Sequence, residues 1–284
     1  MDLKNKLKNI PHVYYFNLDN RTDRREYMES QFDYWKINFT RISGTKFLAS
    51  RKNEWKHLMY KPSEYKLLVP IAANAISHLD FLQTWLKETD DPYLILMEDD
   101  YDLGLIEYWH FDWDYLMNNI PYDWDCIQLG FENPFGIPFY LHPMLPAHDF
   151  GPCMITRDYA EKLVRLHYID GKYHLVPRVA NHAWNKQRGV SGPGSVDYFM
   201  CHNGRTYSIP LITINPDFNS FEDNSPIQKQ HRMNGDVLSR NCYYRWWKTE
   251  RDNYTLKEFF TYGKSNDSEM VRRSVEYGNY EFKK

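Results

Sequence analysis

Long apolar runs are absent from this sequence. No stretch approaches the roughly 20 apolar residues that a membrane-spanning helix needs, and the lysine-rich opening, residues 1–11, has no apolar core of the kind that secretory signals carry. We therefore expect no transmembrane segment and a cytoplasmic location, which is compatible with attachment to the surface of a membrane.

Cysteine is scarce as well. The four cysteines are far apart and form no C-x-x-C pair, so a zinc site built on paired cysteines is not expected: Cys126, Cys153, Cys201 and Cys242. An excess of one charge is also missing, because 35 Lys and Arg face 38 Asp and Glu. That balance gives no support to nucleic-acid binding, although a small basic pocket for a diphosphate is compatible with it.

What the chain does contain is an alternation of strand and helix patterns. With 284 residues, of which 42% are hydrophobic, it can form one large α/β domain with a C-terminal extension. Helical periodicity, including a helix capped by Asn20, separates several of the segments that read as strands: 13–16, 37–42, 93–97, 125–130, 152–156 and 205–214. This order predicts a mostly parallel sheet with helices on both faces.

The pattern weakens after about residue 222. We therefore predict a principal domain over residues 1–221. Residues 222–284 are predicted to form a largely helical appendage that packs on this domain.

A group of carboxylates directly follows the apolar strand at 93–97. Glu98, Asp99 and Asp100 are consecutive and Asp102 comes two residues later. Such a group needs a counter-charge, and its hard oxygen atoms suit Mg²⁺ or Mn²⁺. Ligands of parallel sheets bind beyond the carboxyl ends of the strands, which favours a metal site over a solvated acidic turn. The ligand pair can be Glu98 with Asp100, or Asp100 with Asp102.

The same D-x-D spacing occurs twice more, at Asp112 and Asp114 and at Asp123 and Asp125. Neither pair directly follows an apolar strand, so we do not assign a metal to either of them.

Seven short segments occur together in the order found in one enzyme family. They are YFNLDNRTDRR at 15–25, FTRISG at 39–44, AISH at 75–78, LILMEDD at 94–100, WDCIQLG at 124–130, GPCMIT at 151–156 and VDYF at 196–199. Together they resemble glycosyltransferase family 25, which includes lipooligosaccharide and procollagen galactosyltransferases, over about residues 11–220. Two departures stand out: Ala73 and Asn74 lie where the family has a Gly-Cys pair, and Ser43 replaces an acidic residue.

The resemblance implies a GT-A-type, Rossmann-like fold in which residues 1–221 bind a nucleotide sugar. It implies inverting transfer of a hexose, galactose or glucose from a UDP-sugar, to a hydroxyl of a glycan or glycoprotein acceptor. Mn²⁺ or Mg²⁺ would be the cofactor, and lipopolysaccharide or glycan biosynthesis would be the setting.

The resemblance also proposes roles for individual residues. Asp197 is the expected catalytic base, with a helix cap as its structural alternative. Asp100 and Asp102 are the expected metal ligands. The expected donor-binding residues are Asn17, Arg21, Arg24, Ser77, His78, Glu98 and Asp99. For those on helices the alternative is a purely structural role.

Two other functions compete with an active transferase. The first is a catalytically inactive, transferase-like protein that only binds a glycan or a nucleotide. The second is a metal-dependent phosphohydrolase or nucleotidyltransferase, which the absence of a Walker-type glycine-rich loop disfavours.

Overall fold

A computed structural model describes residues 5–63, 69–131, 139–144, 151–175, 195–218 and 236–261, without the side chains of Asp197 and Tyr198. Within these ranges the strands are β1 (Val13–Asn17), β2 (Phe39–Ser43), β3 (Tyr93–Met97), β4 (Tyr101–Asp102), β5 (Cys126–Gln128), β6 (His142–Pro143), β7 (Cys153–Thr156), β8 (Tyr168–Ile169), β9 (Lys172–Tyr173), β10 (Thr206–Ser208) and β11 (Thr213–Ile214). The α-helices are α1 (Thr22–Trp35), α2 (Lys52–Trp55), α3 (Val69–Glu88), α4 (Trp113–Asn119), α5 (Arg157–His167), α6 (Val196–His202), α7 (Val237–Arg245) and α8 (Leu256–Phe260).

A seven-stranded sheet forms the centre of the described structure, in the order β2-β1-β3-β7-β5-β10-β6. β1 is parallel to β2 and to β3, and β5 is parallel to β10. β7 and β6 run antiparallel to their neighbours. The prediction of a mixed α/β fold with a mostly parallel sheet is therefore confirmed, with two strands reversed.

Helices cover both faces of this sheet. Along β3 the side chains alternate: Leu94 and Leu96 pack into the core beneath α3 and α5, whereas Ile95 and Met97 pack into the core beneath α1. All four are almost completely buried. Burial on both faces explains why this strand is a continuous apolar run rather than an alternating one.

The C-terminal part of the described chain, residues 236–261, is helical and packs on the same core as α1. The Tyr243 hydroxyl donates to the Phe131 carbonyl oxygen at 2.7 Å, and Trp247 Nε1 donates to the Pro210 carbonyl oxygen at 2.7 Å. The predicted boundary near residue 221 lies outside the described residues, so the division into two domains stays a prediction.

Two predicted elements are corrected. α1 begins at Thr22 after Arg21, not directly after Asn20. The single strand predicted over 205–214 is two strands in different sheets, because β10 pairs with β5 and β11 pairs with β4. Pro210 lies between them, and its missing N–H cannot continue a strand ladder.

None of the helices in these ranges combines the length and the apolarity needed to cross a membrane.

Candidate functional site

A cleft of about 400 Å³ opens at the carboxyl ends of β1 and β3. These strands are parallel neighbours, so the residues that follow them meet at one edge of the sheet. The cleft brings together seven of the predicted site residues: Asn17, Arg21, Arg24, Ser77, Glu98, Asp99 and Asp100.

Asp99 connects the strands and the helix of the site through a buried ion pair and a hydrogen bond. Its carboxylate accepts from Arg24 Nη1 at 2.6 Å and from Asn17 Nδ2 at 2.7 Å. The Asp99 and Arg24 side chains are each only 9% exposed. A buried ion pair of this kind is tolerated when hydrogen bonds satisfy the remaining polar atoms, as Asn17 does here. Arg24, Asn17 and Asp99 therefore build the floor of the cleft.

Arg41 extends this hydrogen-bond network. No role for Arg41 is predicted from the sequence. Its Nη1 donates to Asn17 Oδ1 at 3.2 Å and to Asp19 Oδ1 at 2.8 Å, and the Ser43 hydroxyl donates to the other Asp19 oxygen at 2.9 Å. The Arg41 guanidinium is the largest cause that holds the pKa of Asp19 below its usual value. The feature that could have indicated Arg41 is the parallel pairing of β1 and β2, because it places residues near the ends of both strands close together.

Asp100 is the carboxylate with the most unusual electrostatics. Its side chain is 21% exposed, and Arg24 Nη1 lies 3.3 Å from its Oδ2. Burial raises the pKa of Asp100 to about 6; Arg24 opposes this, while Asp99 and Asp236 add to it. Arg24 also pairs with Asp99, so its positive charge does not fully offset the effect of burial on the pKa of Asp100. A bound cation would stabilise the ionised carboxylate.

Glu98 lines the same cleft and accepts from Asn74 Nδ2 at 2.9 Å. Asn74 is on α3, as are Ala73 and Ser77, and all three line the cleft. The Ser77 hydroxyl donates to the Ala73 carbonyl oxygen at 2.9 Å. The departure from the family pattern at Ala73 and Asn74 therefore lies in the cleft itself and supplies a contact to Glu98.

Apolar residues also line the cleft: Phe47, Leu48, Pro70, Ile71 and Val196. The cleft thus combines apolar residues with two arginines and three carboxylates. This combination suits a ligand with one planar, weakly polar part and one strongly charged part.

Asp102 does not line the cleft. It is 6% exposed, and its Oδ2 accepts from Arg240 Nη2 at 3.0 Å and from the Tyr244 hydroxyl at 3.0 Å. Its Oδ1 accepts from the Gly104 N–H at 2.8 Å. Of the two ligand pairs that the sequence allows, only Glu98 with Asp100 has both members at the cleft.

The donor atoms at the cleft fit a divalent cation that is only partly bound by protein. Among the described residues, no group of three or more His, Cys, Asp or Glu side chains is arranged to hold a metal. Three carboxylates, Glu98, Asp99 and Asp100, line the cleft, and Asp99 is the one in the buried ion pair with Arg24. Mg²⁺ is commonly bound by one or two carboxylates, with phosphate oxygens and water as the other ligands.

The structure does not bring His78 to the cleft. The ring is fully buried and packs on Phe16, with 4.2 Å between the ring centroids, and its Nδ1 lies 3.0 Å from the Asn74 carbonyl oxygen. Burial lowers the pKa of His78 from 6.5 to about 4, and the hydrogen bond to Asn74 only partly opposes it. His78 therefore supports the helix that carries Asn74 and Ser77.

This burial predicts a pH-dependent stability. Because the folded-state pKa of His78 is depressed, its contribution is complete above about pH 6.5 and is lost as the pH falls towards 4. We expect the loss to amount to about 3 kcal/mol, and His78→Phe to remove that part of the pH dependence. Urea unfolding at a series of pH values measures it.

The exposed His57 provides the matched control, because His57→Phe makes the same substitution outside the core. An unchanged slope in His78→Phe would contradict the assignment.

Asp197 lies in the first turn of α6, next to Val196, which lines the cleft. Its side chain lies outside the described part of the structure, so its role as the base stays a prediction.

The two other D-x-D pairs have structural partners. Asp112 caps α4 by accepting from the Tyr115 N–H at 2.8 Å, and Asp114 accepts from Asn9 Nδ2 at 2.9 Å. Asp123 forms an ion pair with Arg205 at 2.7 Å.

Taken together, the fold and the cleft define an α/β protein with a ligand site at the ends of its parallel strands. Residues 10–107 match the sequence model of glycosyltransferase family 25 (LPS biosynthesis protein). This match confirms the resemblance over that segment, which holds every predicted site residue except Asp197, and it suggests glycosyltransferase activity.

No curated protein sequence matches the chain. A solved structure titled "Crystal Structure of A197 from STIV" is similar at 11% identity, covers 72% of this chain and 84% of its own, and has a TM-score of 0.33.

Proposed function

We propose that the protein is an inverting hexosyltransferase of the GT-A type that uses a UDP-sugar donor and a divalent cation, Mn²⁺ or Mg²⁺. The observation that carries the proposal is the pair of carboxylates, Glu98 and Asp100, in a cleft that apolar residues also line. The family match over residues 10–107 supports the reaction class.

The mixed lining of the cleft suggests how the donor lies. The uracil ring would pack against apolar residues such as Phe47 and Ile71, and the diphosphate would lie towards Arg21. Arg21 Nε and Nη2 both contact Asp23, at 2.9 and 2.7 Å, which fixes the orientation of its guanidinium. A guanidinium held in this way is suited to phosphate, because its N–H groups match phosphate oxygens.

Glu98 and Asp100 would hold the cation, which neutralises charge on the departing diphosphate when it is bound. Arg24 keeps the neighbouring Asp99 paired, so Asp99 is not needed as a ligand.

The acceptor would be a hydroxyl of a glycan or glycoprotein, and we propose Asp197 as the base that takes its proton. Asp197 is adjacent in the chain to Val196 of the cleft wall. A base in this role must lie on the side of the sugar from which the hydroxyl attacks.

A donor panel tests the proposal. UDP-, GDP- and CMP-sugars are compared with and without MnCl₂ by thermal unfolding and by transfer to simple glycoside acceptors. We expect a UDP-hexose with Mn²⁺ to raise the melting temperature by about 5 °C at about 100 times its Kd, and to be consumed.

If no nucleotide sugar stabilises the protein and none is consumed, the proposal fails. Stabilisation without hydrolysis or transfer would instead favour the inactive, glycan- or nucleotide-binding alternative. Release of pyrophosphate from a nucleoside triphosphate would favour a nucleotidyltransferase.

A further inference from the structure

The segment that carries the acids, residues 98–102, is attached to the C-terminal helix α7. The attachment runs through Asp102, whose Oδ2 accepts from Arg240 Nε at 3.1 Å, from Arg240 Nη2 at 3.0 Å and from the Tyr244 hydroxyl at 3.0 Å. Arg240 also lies over the Tyr244 ring, 5.0 Å from its centroid. One carboxylate oxygen of Asp102 therefore accepts three hydrogen bonds from side chains of α7.

The packing around this contact is close. Gly104 follows the acidic segment, and a Cβ at that position would lie only 2.4 Å from the Tyr244 hydroxyl. Any side chain at 104 would therefore displace Tyr244 from Asp102. Burial raises the pKa of Tyr244, and Asp102 adds to this, so the phenol stays protonated and can donate.

The Asp102 contact is connected to Asp100 through the backbone of β4. Tyr101 and Asp102 form β4, which pairs with β11, and the Asn215 N–H donates to the Asp100 carbonyl oxygen at 2.6 Å. Asp100 is therefore held in two ways. Its side chain contacts Arg24 of α1, and its backbone leads into β4, which pairs with β11 and ends at Asp102. Since Asp102 is two residues from Asp100, a shift of one moves the other.

We propose that Arg240 and Tyr244 are positioning residues for the donor site, holding Asp100 at the cleft through Asp102. The inference rests on the proposed function for its effect on donor binding, but its structural part can be measured without any donor. It gives the C-terminal helices a role in activity although they contribute none of the described cleft residues. Outer contacts of this kind commonly change metal affinity or activity by about 10- to 100-fold.

The first measurement is hydrogen–deuterium exchange of the full chain without ligand. In Arg240→Met we expect the peptide over residues 98–104 to exchange about 10-fold faster, the size of effect that loss of a charge-assisted hydrogen bond produces. The peptide over β5 should not change. Arg245→Met is the matched control, because Arg245 is on the same helix but is 69% exposed and pairs with Glu250.

The second measurement is the affinity for MnCl₂ and UDP, together with donor KM and kcat. Arg240→Met is expected to raise the donor KM about 10-fold with a much smaller change in kcat, and Arg240→Lys, which keeps the charge, to recover most of the loss. Tyr244→Phe, which removes only one donor, should give a smaller shift in the same direction and serves if Arg240→Met does not fold.

The two measurements separate the two ideas. If exchange at 98–104 is faster in Arg240→Met and the wild-type protein binds no UDP-sugar, the attachment is supported and the proposed function is refuted. The inference itself is overturned if exchange at 98–104 is unchanged. It is also overturned if exchange rises equally throughout the chain, or if Arg240→Met and Tyr244→Phe leave donor KM at the value of Arg245→Met.

Discussion

Replacing Asp100 by asparagine is expected to lower kcat/KM for sugar transfer by about 1,000-fold, or roughly 4 kcal/mol of transition-state stabilisation. Asparagine keeps the shape of the side chain but removes the charge that would hold a divalent cation. Glu98 would then be the single carboxylate of the proposed pair. Radiolabelled or coupled transfer assays at saturating MnCl₂ measure the change, and MnCl₂ should no longer raise the melting temperature.

The same substitution should have the opposite effect on stability. Burial raises the pKa of Asp100 from 3.8 to about 6, so the folded protein disfavours the ionised form that prevails at pH 7. This cost is present above about pH 6 and disappears as the pH falls below 4. In the absence of divalent cations, Asp100→Asn should therefore raise the free energy of unfolding at pH 7 by about 3 kcal/mol.

Asp90→Asn is the matched control, since Asp90 is fully exposed and lies 3.9 Å from its nearest basic partner, Arg157. It should change neither activity nor stability. A more stable but inactive Asp100→Asn protein identifies a functional carboxylate that is retained at the expense of stability. An Asp100→Asn protein with wild-type transfer rates would remove Asp100 from the site.

Replacing Arg24 by methionine is expected to destabilise the protein by about 3 to 5 kcal/mol, the usual result of removing one partner from a buried ion pair. Arg24 contacts both Asp99 and Asp100, and its loss leaves two carboxylates without their shared cationic partner. Denaturant unfolding at pH 7 measures the loss. The expectation follows from the structure, because the sequence suggests Arg24 only as a donor-binding residue.

Arg25→Met is the control. Arg25 is the next residue along α1, is 45% exposed and contacts Glu29 at 3.6 Å, so its loss should cost less than about 1 kcal/mol. Adding Asp99→Asn to Arg24→Met should recover part of the stability, because it removes one of the unpaired charges. If Arg24→Met is as stable as Arg25→Met, Arg24 is not a structural counter-ion and a direct role in donor binding gains support.

Parts of the fold could be read from local patterns. The strand at Tyr93–Met97 was predicted with its correct bounds, because an apolar run of that length between turn signals is typical of a strand buried on both faces. The spacing of Ala160, Leu163, Val164 and His167 likewise predicts the helix that α5 forms, and Thr156 caps it by accepting from the Tyr159 N–H. By contrast, β7 lies antiparallel between β3 and β5, and nothing in its sequence indicates that direction. A strand buried on both faces has the same pattern whichever way it runs.

Several site residues could not be identified from the sequence. Arg41 lies in a segment that resembles the family, and Asn74 lies at a departure from the family pattern. Their contacts, with Asn17 and with Glu98, join elements that are distant in the sequence and cannot be inferred from it. His78 follows Ser77 directly, yet only Ser77 lines the cleft, because successive residues of a helix point in different directions.

The acidic segment after β3 shows most clearly what each level of description determines. That Glu98, Asp99, Asp100 and Asp102 follow a buried strand can be inferred from the sequence alone, because it depends only on local hydrophobicity and chain order. How the four carboxylates differ depends on the tertiary structure. Asp99 pairs with Arg24, Asp102 is bound by α7, and Glu98 and Asp100 line the cleft. The partners of these carboxylates come from other elements, up to 142 residues away in the chain, and no local pattern encodes such contacts.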